Sequence, residues 1–266
     1  MCPEQAPPVA VAFDHVTVRF GGVKAVDELS FSVSCGELVG LIGPNGCGKT
    51  TVLNALTGLA EPERGWMQIG GARLRRVAPH RVCSLGVSRT FQDVRLFSQF
   101  TVLDNLLVAF RHSRNLGLVG ATFGRHLMAG DERQAEREAL RCLGLVGLEA
   151  RAQDRASNLS FGQMKLVSLA RALVNDPEIL LLDEPTAALA PPMVSAVREL
   201  LRLLRGMGKT ILIVEHDLGL LMTLCDRVIR LHGGRRDFDG TPDELRNALT
   251  NEGASAGLTN VYTASD

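Results

Sequence analysis

Apolar and polar residues alternate from Val9 to Phe20, with Val16, Val18 and Phe20 set against Thr17 and Arg19. A period of two is the mark of a strand with one buried face. Leu29 to Val33 alternates again, and Leu38 to Ile42 is an apolar run that reads as a third strand. Thr51-Val52-Leu53-Asn54-Ala55-Leu56 then has a helical pattern, which predicts a helix from near Gly48 to about Leu59. Trp66–Ile69 and Val87–Phe91 read as further strands, the second ending at Gln92.

The pattern changes over residues 93–175, where no strand period occurs. Thr101 to Phe110 places Val102, Leu103, Leu106, Leu107 and Phe110 on one helical side. Asp131–Leu143 is a charged amphipathic helix, and Phe161–Val174 fits another. Strand and helix patterns then alternate again. Ile179–Leu182 is wholly apolar, as parallel strands covered on both faces are. Met193–Leu204 follows as a helix, then strands at Ile211–Val214 and Val228–Leu231. A last helix, Thr241–Leu249, opens on the capping box Thr241-x-x-Glu244. The small, polar residues from Ala254 to Asp266 are expected to fray.

The third strand runs directly into Gly43-Pro44-Asn45-Gly46-Cys47-Gly48-Lys49-Thr50. This is G-x-x-x-x-G-K-[ST], the loop that cradles a triphosphate. Gly43, Gly46 and Gly48 let the backbone turn its N–H groups inward. Lys49 brings a positive charge to the terminal phosphates, and Thr50 offers a hydroxyl to Mg²⁺. The start of the following helix, with Thr51, adds its positive dipole end.

Ile179–Leu182 ends in Asp183-Glu184-Pro185. Strand ends in open α/β sheets are where ligands sit. Asp183 suits a Mg²⁺ partner, and Glu184 suits the general base that orients and deprotonates an attacking water. Ile213-Val214-Glu215-His216-Asp217 closes another apolar strand on a histidine. Ser160-Phe161-Gly162-Gln163 follows Leu159, with Ser160 placed as the N-cap of a helix whose free N–H groups can meet a phosphate.

Leu159-Ser160-Phe161-Gly162-Gln163, with Ser160 23 residues ahead of Asp183, resembles the L-S-G-G-Q signature of the ATP-binding cassette (ABC) ATPases. With the phosphate loop, the paired carboxylates and His216, the motifs stand in that family's order over residues 9 to about 245. The resemblance implies an α/β P-loop fold: a RecA-like core, an N-terminal antiparallel β subdomain and an inserted helical subdomain at about 93–175. The ATPase domain is placed at 9–250, with a flexible tail at 251–266. The resemblance further implies that His216 senses the γ-phosphate. Gln92, in Arg89-Thr90-Phe91-Gln92, would contact Mg²⁺ or the lytic water. Phe20 would stack on adenine beside Val26. Ser160, Phe161, Gly162 and Gln163 would close the ATP site of an opposite subunit in a head-to-tail dimer.

Composition narrows the class. The 29 basic and 29 acidic residues cancel, which argues against a dedicated nucleic-acid binder. Cys2, Cys35, Cys47, Cys83, Cys142 and Cys225 are scattered with no C-x-x-C, as in a reduced cytosolic protein. The N-terminus shows no export signal. No apolar run reaches 18 residues, so a solute must cross the membrane through partner proteins. Residues 111–130 hold three Arg, two His and no acid, a stretch that could face lipid headgroups, a permease loop or solvent.

Three strings resemble the branched-chain (hydrophobic) amino-acid uptake subfamily: Phe20 to Asp27, Arg89 to Phe97, and Thr101 to Leu107. The extra residues after Phe110 and the aromatic Phe161 resemble the longer of that system's two ATPases. The resemblance implies two transmembrane permease subunits, a second ABC ATPase or a second copy of this chain, and an extracytoplasmic solute-binding protein. It implies a peripheral place on the cytoplasmic face of the inner membrane. An ATPase for lipid or lipopolysaccharide export shares the same core, and a soluble ABC ATPase is a further alternative. One departure stands out. Most ABC ATPases carry aspartate, and this subfamily often asparagine, where this chain has Ala190 before Pro191.

Overall fold

The structure, a computed structural model, describes residues 7–110 and 125–256. Most of the basic stretch 111–130 and of the tail 254–266 lies outside the described residues. The chain falls into two compact units. One takes the residues up to Arg89, then Glu178–Glu184, then those from Leu201 on; the other takes Thr90–Pro177 and Pro185–Leu200.

The first unit carries two sheets. β1 (Val9–Phe20) and β2 (Val23–Ser34) form an antiparallel hairpin closed by Gly21 and Gly22. Phe13 faces Phe31 across it, the rings stacked at 4.9 Å. With β4 (Arg64–Ile69) and β5 (Ala72–Leu74) they make a four-stranded sheet in the order β2-β1-β4-β5. β2 reaches further back than the alternation at Leu29–Val33 suggests. Glu28, at φ 47°, makes an irregularity that breaks the period of two just before Leu29.

The second sheet is built from β3 (Leu38–Ile42), β6 (Val87–Arg89), β7 (Ile179–Asp183), β8 (Thr210–Val214), β9 (Arg227–His232) and β10 (Arg235–Gly240). Its order is β10-β9-β3-β8-β7-β6, parallel throughout except for β10. Every residue of β3, β7 and β8 is buried, as their apolar runs require. Val39, Leu41, Leu181, Leu212, Val214, Ile229 and Leu231 share one core with Phe13, Phe31, Met67 and Ile69 of the antiparallel sheet. α1 (Lys49–Leu56) contributes Val52, Leu53 and Leu56 to the same core. On the opposite face, Gly40 lies against Leu221 and Cys225, where a Cβ would come within 3.2 Å of one and 3.1 Å of the other.

The strand expected at Val87–Phe91 ends at Arg89, where the chain leaves the first unit. β10 has no apolar period at all. Its charges pair instead, Arg227 and Arg236 with Asp239, and Arg230 with Asp237. α2 (Pro79–Val82) is a single turn.

The second unit is helical. α3 (Val102–Leu107) is opened by a capping box between Thr101 and Asp104. Asn105 is fully buried and stitches the preceding turn: its amide oxygen accepts from Phe97 N (2.8 Å), and its nitrogen donates to the carbonyls of Phe97 (3.1 Å) and Thr101 (2.9 Å). α4 (Arg125–Leu145) begins before and ends after the stretch Asp131–Leu143. α5 (Phe161–Leu173) matches its expected bounds to one residue. α6 (Pro191–Gly206) runs from the second unit back into the first. The short helix α7 (Leu218–Leu224), capped by the Asp217 side chain, has too few turns to show a period. α8 (Pro242–Ala256) starts on the expected Thr241–Glu244 box and extends past Leu249.

Candidate active site

β3 feeds the loop Gly43–Thr50. Gly43 sits at φ 143°, so close to β9 that a Cβ would lie 2.2 Å from the Leu231 carbonyl oxygen. Gly48, at φ 108°, stands where a Cβ would come 2.3 Å from the Ala25 carbonyl oxygen. Both positions exclude any side chain, by conformation and by space. The loop is also stitched from outside. Gly234 N donates to Cys47 O (3.1 Å), and Asp27 N donates to Gly234 O (2.9 Å). Val26 is fully buried beneath Gly48, while Phe20 is 54% exposed at the end of β1.

α1 starts at Lys49 with no side-chain cap, so its first-turn N–H groups are open to a ligand. Lys49 is buried, and its ammonium donates to the carbonyls of Gly43 (2.7 Å) and Pro44 (3.0 Å). Its charge thus bridges the first turn of the loop. Cys47 is buried, Pro44, Asn45, Gly46 and Thr50 are exposed, and Thr51 is half-buried.

β7 and β8 run parallel beside β3, so their last residues stand along one edge of the sheet. Asp183 ends β7, and its register partner is Val214, the last residue of β8. Burial is the largest influence on the Asp183 carboxyl and pushes its pKa up; the hydrogen bond and charge of Arg89 oppose that rise. Lys49 opposes it as well, and Glu184 adds to it. Arg89 Nη2 donates to Asp183 Oδ2 at 2.9 Å. Glu184 sits at φ 48°, a left-handed conformation costing about 1–3 kcal/mol in a residue with a side chain. Its N–H is anchored on Val214 O (2.9 Å). This backbone turn presents the Glu184 carboxylate to His216, with Oε1 3.0 Å from Nε2.

The first unit therefore brings together the phosphate loop, Lys49, Asp183, Glu184 and His216. Phe20 and Val26 also belong to the first unit, whereas Gln92 and the signature residues Ser160–Gln163 belong to the second. Gln92 is exposed, in irregular chain after β6. Ser160 caps α5: Ser160 Oγ accepts from Gln163 N (3.3 Å), and Gln163 Oε1 accepts from Ser160 N (3.0 Å). Phe161 is exposed beside them. Gly162 faces α6, where a Cβ would lie 2.3 Å from Met193 Sδ.

A family model described as ABC transporter matches residues 26–187. The chain is 39% identical over 238 residues to the high-affinity branched-chain amino acid transport ATP-binding protein LivG of Salmonella typhimurium, covering 89% of this chain and 93% of that protein. It is 37% identical over 233 residues to BraF, which carries the same description, of Pseudomonas aeruginosa, covering 87% and 91%. A solved nucleotide-free ATP-binding cassette from an ABC transporter superposes with a TM-score of 0.80 at 27% identity, over 97% of this chain and all of that one. The chain belongs to the ABC transporter ATPases.

Three side chains support this ABC cassette without being legible as site residues. Arg89 holds Asp183. Arg151 donates to Gln163 Oε1 (2.9 Å) and, through Nε, to Asp154 (2.7 Å), so the signature's capping box is itself braced. Lys165, buried on α5, donates to Ala187 O (2.6 Å) in the loop after Glu184 and lies 5.8 Å from the Phe161 ring centre. For Lys165 the available signal is a cation in an otherwise apolar helical stretch; for Arg89 and Arg151 no local pattern marks the role.

Proposed function

We propose that this ABC cassette is the energising subunit of an importer for branched-chain amino acids, or for related small solutes such as other amino acids, amides or urea. The pairing of Glu184 with His216 at the strand edge beside the phosphate loop is the observation that carries the chemistry. The identity to LivG and BraF over nearly the whole chain supports the transport role.

ATP is the substrate. Residues Gly43–Thr51 hold its phosphates through backbone N–H groups and Lys49, and Phe20, at the exposed end of β1, offers a face for adenine. The Thr50 hydroxyl and the Asp183 carboxylate are hard oxygen donors. One carboxylate together with substrate phosphates is how proteins commonly hold Mg²⁺, so the residues present fit that ion. When bound, Mg²⁺ supplies charge neutralisation of the terminal phosphates; the family resemblance adds Gln92 to its contacts. Glu184 takes the proton of the attacking water, and His216 holds the Glu184 carboxylate in place.

The signature Ser160–Gln163 acts on the ATP of an opposing subunit, either a second copy or a different ABC ATPase, and a bacterial ABC cassette has been solved as a dimer. ATP binding then favours a closed dimer, and hydrolysis releases it. Two transmembrane permease subunits take up that two-state change at the cytoplasmic face of the inner membrane, and an extracytoplasmic binding protein delivers the solute. Among the described residues no helix is long and apolar enough to cross a membrane.

The test is reconstitution of this chain with a candidate pair of permease subunits and a solute-binding protein. ATP-driven uptake of labelled leucine, isoleucine or valine into proteoliposomes is the expected result. Intact ATPase activity with no uptake across a panel of amino acids, amides and urea would overturn the transport assignment.

A further inference from the structure

Arg89 is the last residue of the first unit before the chain departs toward Gln92. Its side chain is 5% exposed and that of Asp183 3%. The guanidinium is divided between two elements. Nη2 donates to Asp183 Oδ2 (2.9 Å), while Nη1 donates to Asn54 Oδ1 (2.7 Å) and Thr57 Oγ1 (3.0 Å). Asn54 lies in α1 and Thr57 is its C-cap. Thr57 Oγ1 donates its own proton to Leu53 O (2.8 Å), which leaves its lone pairs for Arg89. One planar cation thereby bolts the carboxylate at the end of β7 to the helix that begins with Lys49 and Thr50. A guanidinium presents donors in a fixed fork and can hold both ends at once; an ammonium is a point charge and cannot.

We propose that Arg89 is a positioning residue for the magnesium site: it fixes the orientation of the Asp183 carboxylate relative to α1, so that Asp183 and Thr50 stand on one rigid frame. The inference rests on the reading of Asp183 as the Mg²⁺ partner. A carboxylate free to rotate would meet the ion in fewer of its conformations. Hydrogen-bond partners that orient a metal ligand commonly set affinity by about 10–100-fold.

The experiment measures nucleotide affinity by calorimetry with Mg²⁺ and with EDTA, alongside the Mg²⁺ concentration that half-saturates hydrolysis. Arg89→Gln is expected to raise the Mg²⁺ requirement by about 10-fold or more while changing metal-free nucleotide affinity less than about twofold. Arg89→Lys should fall between it and the unmutated chain. Thr57→Val and Asn54→Ala, which free the other end of the fork, should shift the requirement in the same direction by less. Equal losses of affinity with and without Mg²⁺ would mean a general packing role and overturn the proposal. So would an unchanged Mg²⁺ requirement in folded Arg89→Gln. If that variant does not fold, an unchanged requirement in both Thr57→Val and Asn54→Ala decides against it. Asp183→Asn separates the two levels. If it leaves the Mg²⁺ requirement unaltered, the assignment of Asp183 fails; if it raises the requirement and the Arg89 variants do not, only the role of Arg89 fails.

Discussion

Glu184 Oε1 and His216 Nε2 lie 3.0 Å apart across the ends of two neighbouring parallel strands. The contact joins the proposed base to the residue that holds it. Glu184→Gln removes the proton acceptor and keeps the shape. Hydrolysis should slow by at least ~10²-fold, the scale of a lost general base. Mg-ATP binding should persist, and an ATP-loaded dimer should accumulate on size-exclusion chromatography. Turnover near the unmutated rate in the assembled transporter would remove Glu184 from this role.

Lys49 donates to two carbonyls of its own loop. Lys49→Ala removes the one ammonium placed there, so the loss should fall on binding. Calorimetry should show weakened ATP affinity at every Mg²⁺ concentration, unlike the Mg²⁺-selective effect expected for Arg89→Gln. Unaltered affinity would contradict the phosphate-binding role.

Contrasts of this kind show which parts of the site are legible in the sequence. Gly43–Thr50 is legible because each residue answers to a local demand: a positive φ, a close backbone approach, a helix start. Asp183, Glu184 and His216 are legible because they end apolar strands. The Arg89–Asp183 bond joins residues 94 positions apart, and nothing near Arg89 marks its partner. The clearance between Gly162 and Met193 is likewise a matter of helix packing. β10 escapes a hydrophobic reading because ion pairs, rather than buried side chains, hold its outer face.

Ser160 and Gly162 are proposed to serve the ATP held by the opposite subunit. Lys49→Ala chains mixed with Ser160→Arg chains should therefore form dimers with one intact composite site, and partial activity should return on mixing. Cysteines introduced at positions 46 and 160, with the native cysteines removed, should crosslink between chains. Crosslinking confined to single chains would rule the head-to-tail arrangement out.

Ala190 is exposed, and its carbonyl accepts from Met193 N (2.9 Å) and Val194 N (3.1 Å) as α6 begins. Its methyl group offers no hydrogen bond to a second subunit. One such bond is worth about 0.5–1.5 kcal/mol, so weaker coupling is expected, with activity retained. The Hill coefficient for ATP should lie near about 1, and Ala190→Asp should raise it. Strong cooperativity that Ala190→Asp leaves unchanged would place the intersubunit link elsewhere.

Asn105 offers a stability test in the second unit. Asn105→Leu keeps the number and branching of side-chain heavy atoms and strips the backbone of Phe97 and Thr101 of three hydrogen bonds. Phe97 O and Thr101 O keep Phe100 N and Asn105 N as donors, so the main loss is the partner of Phe97 N. An unpartnered donor costs about 1–3 kcal/mol, and urea unfolding should register a loss of that order. A midpoint equal to that of the unmutated chain would show that the stitch is dispensable.

The bonds from Gly234 to Cys47 and Asp27 are made entirely by peptide groups. Alanine scanning of Asp27 and Cys47 removes side chains and leaves those links in place. At Gly234 it does the reverse, forcing a Cβ to within 3.0 Å of Ala25 O at φ 80° and thereby reporting crowding instead of the bond. The fastening of the phosphate loop to its neighbours is thus silent in conventional mutagenesis. Backbone ester substitution, which replaces a single N–H with oxygen and leaves every side chain in place, is the chemistry that can weigh it.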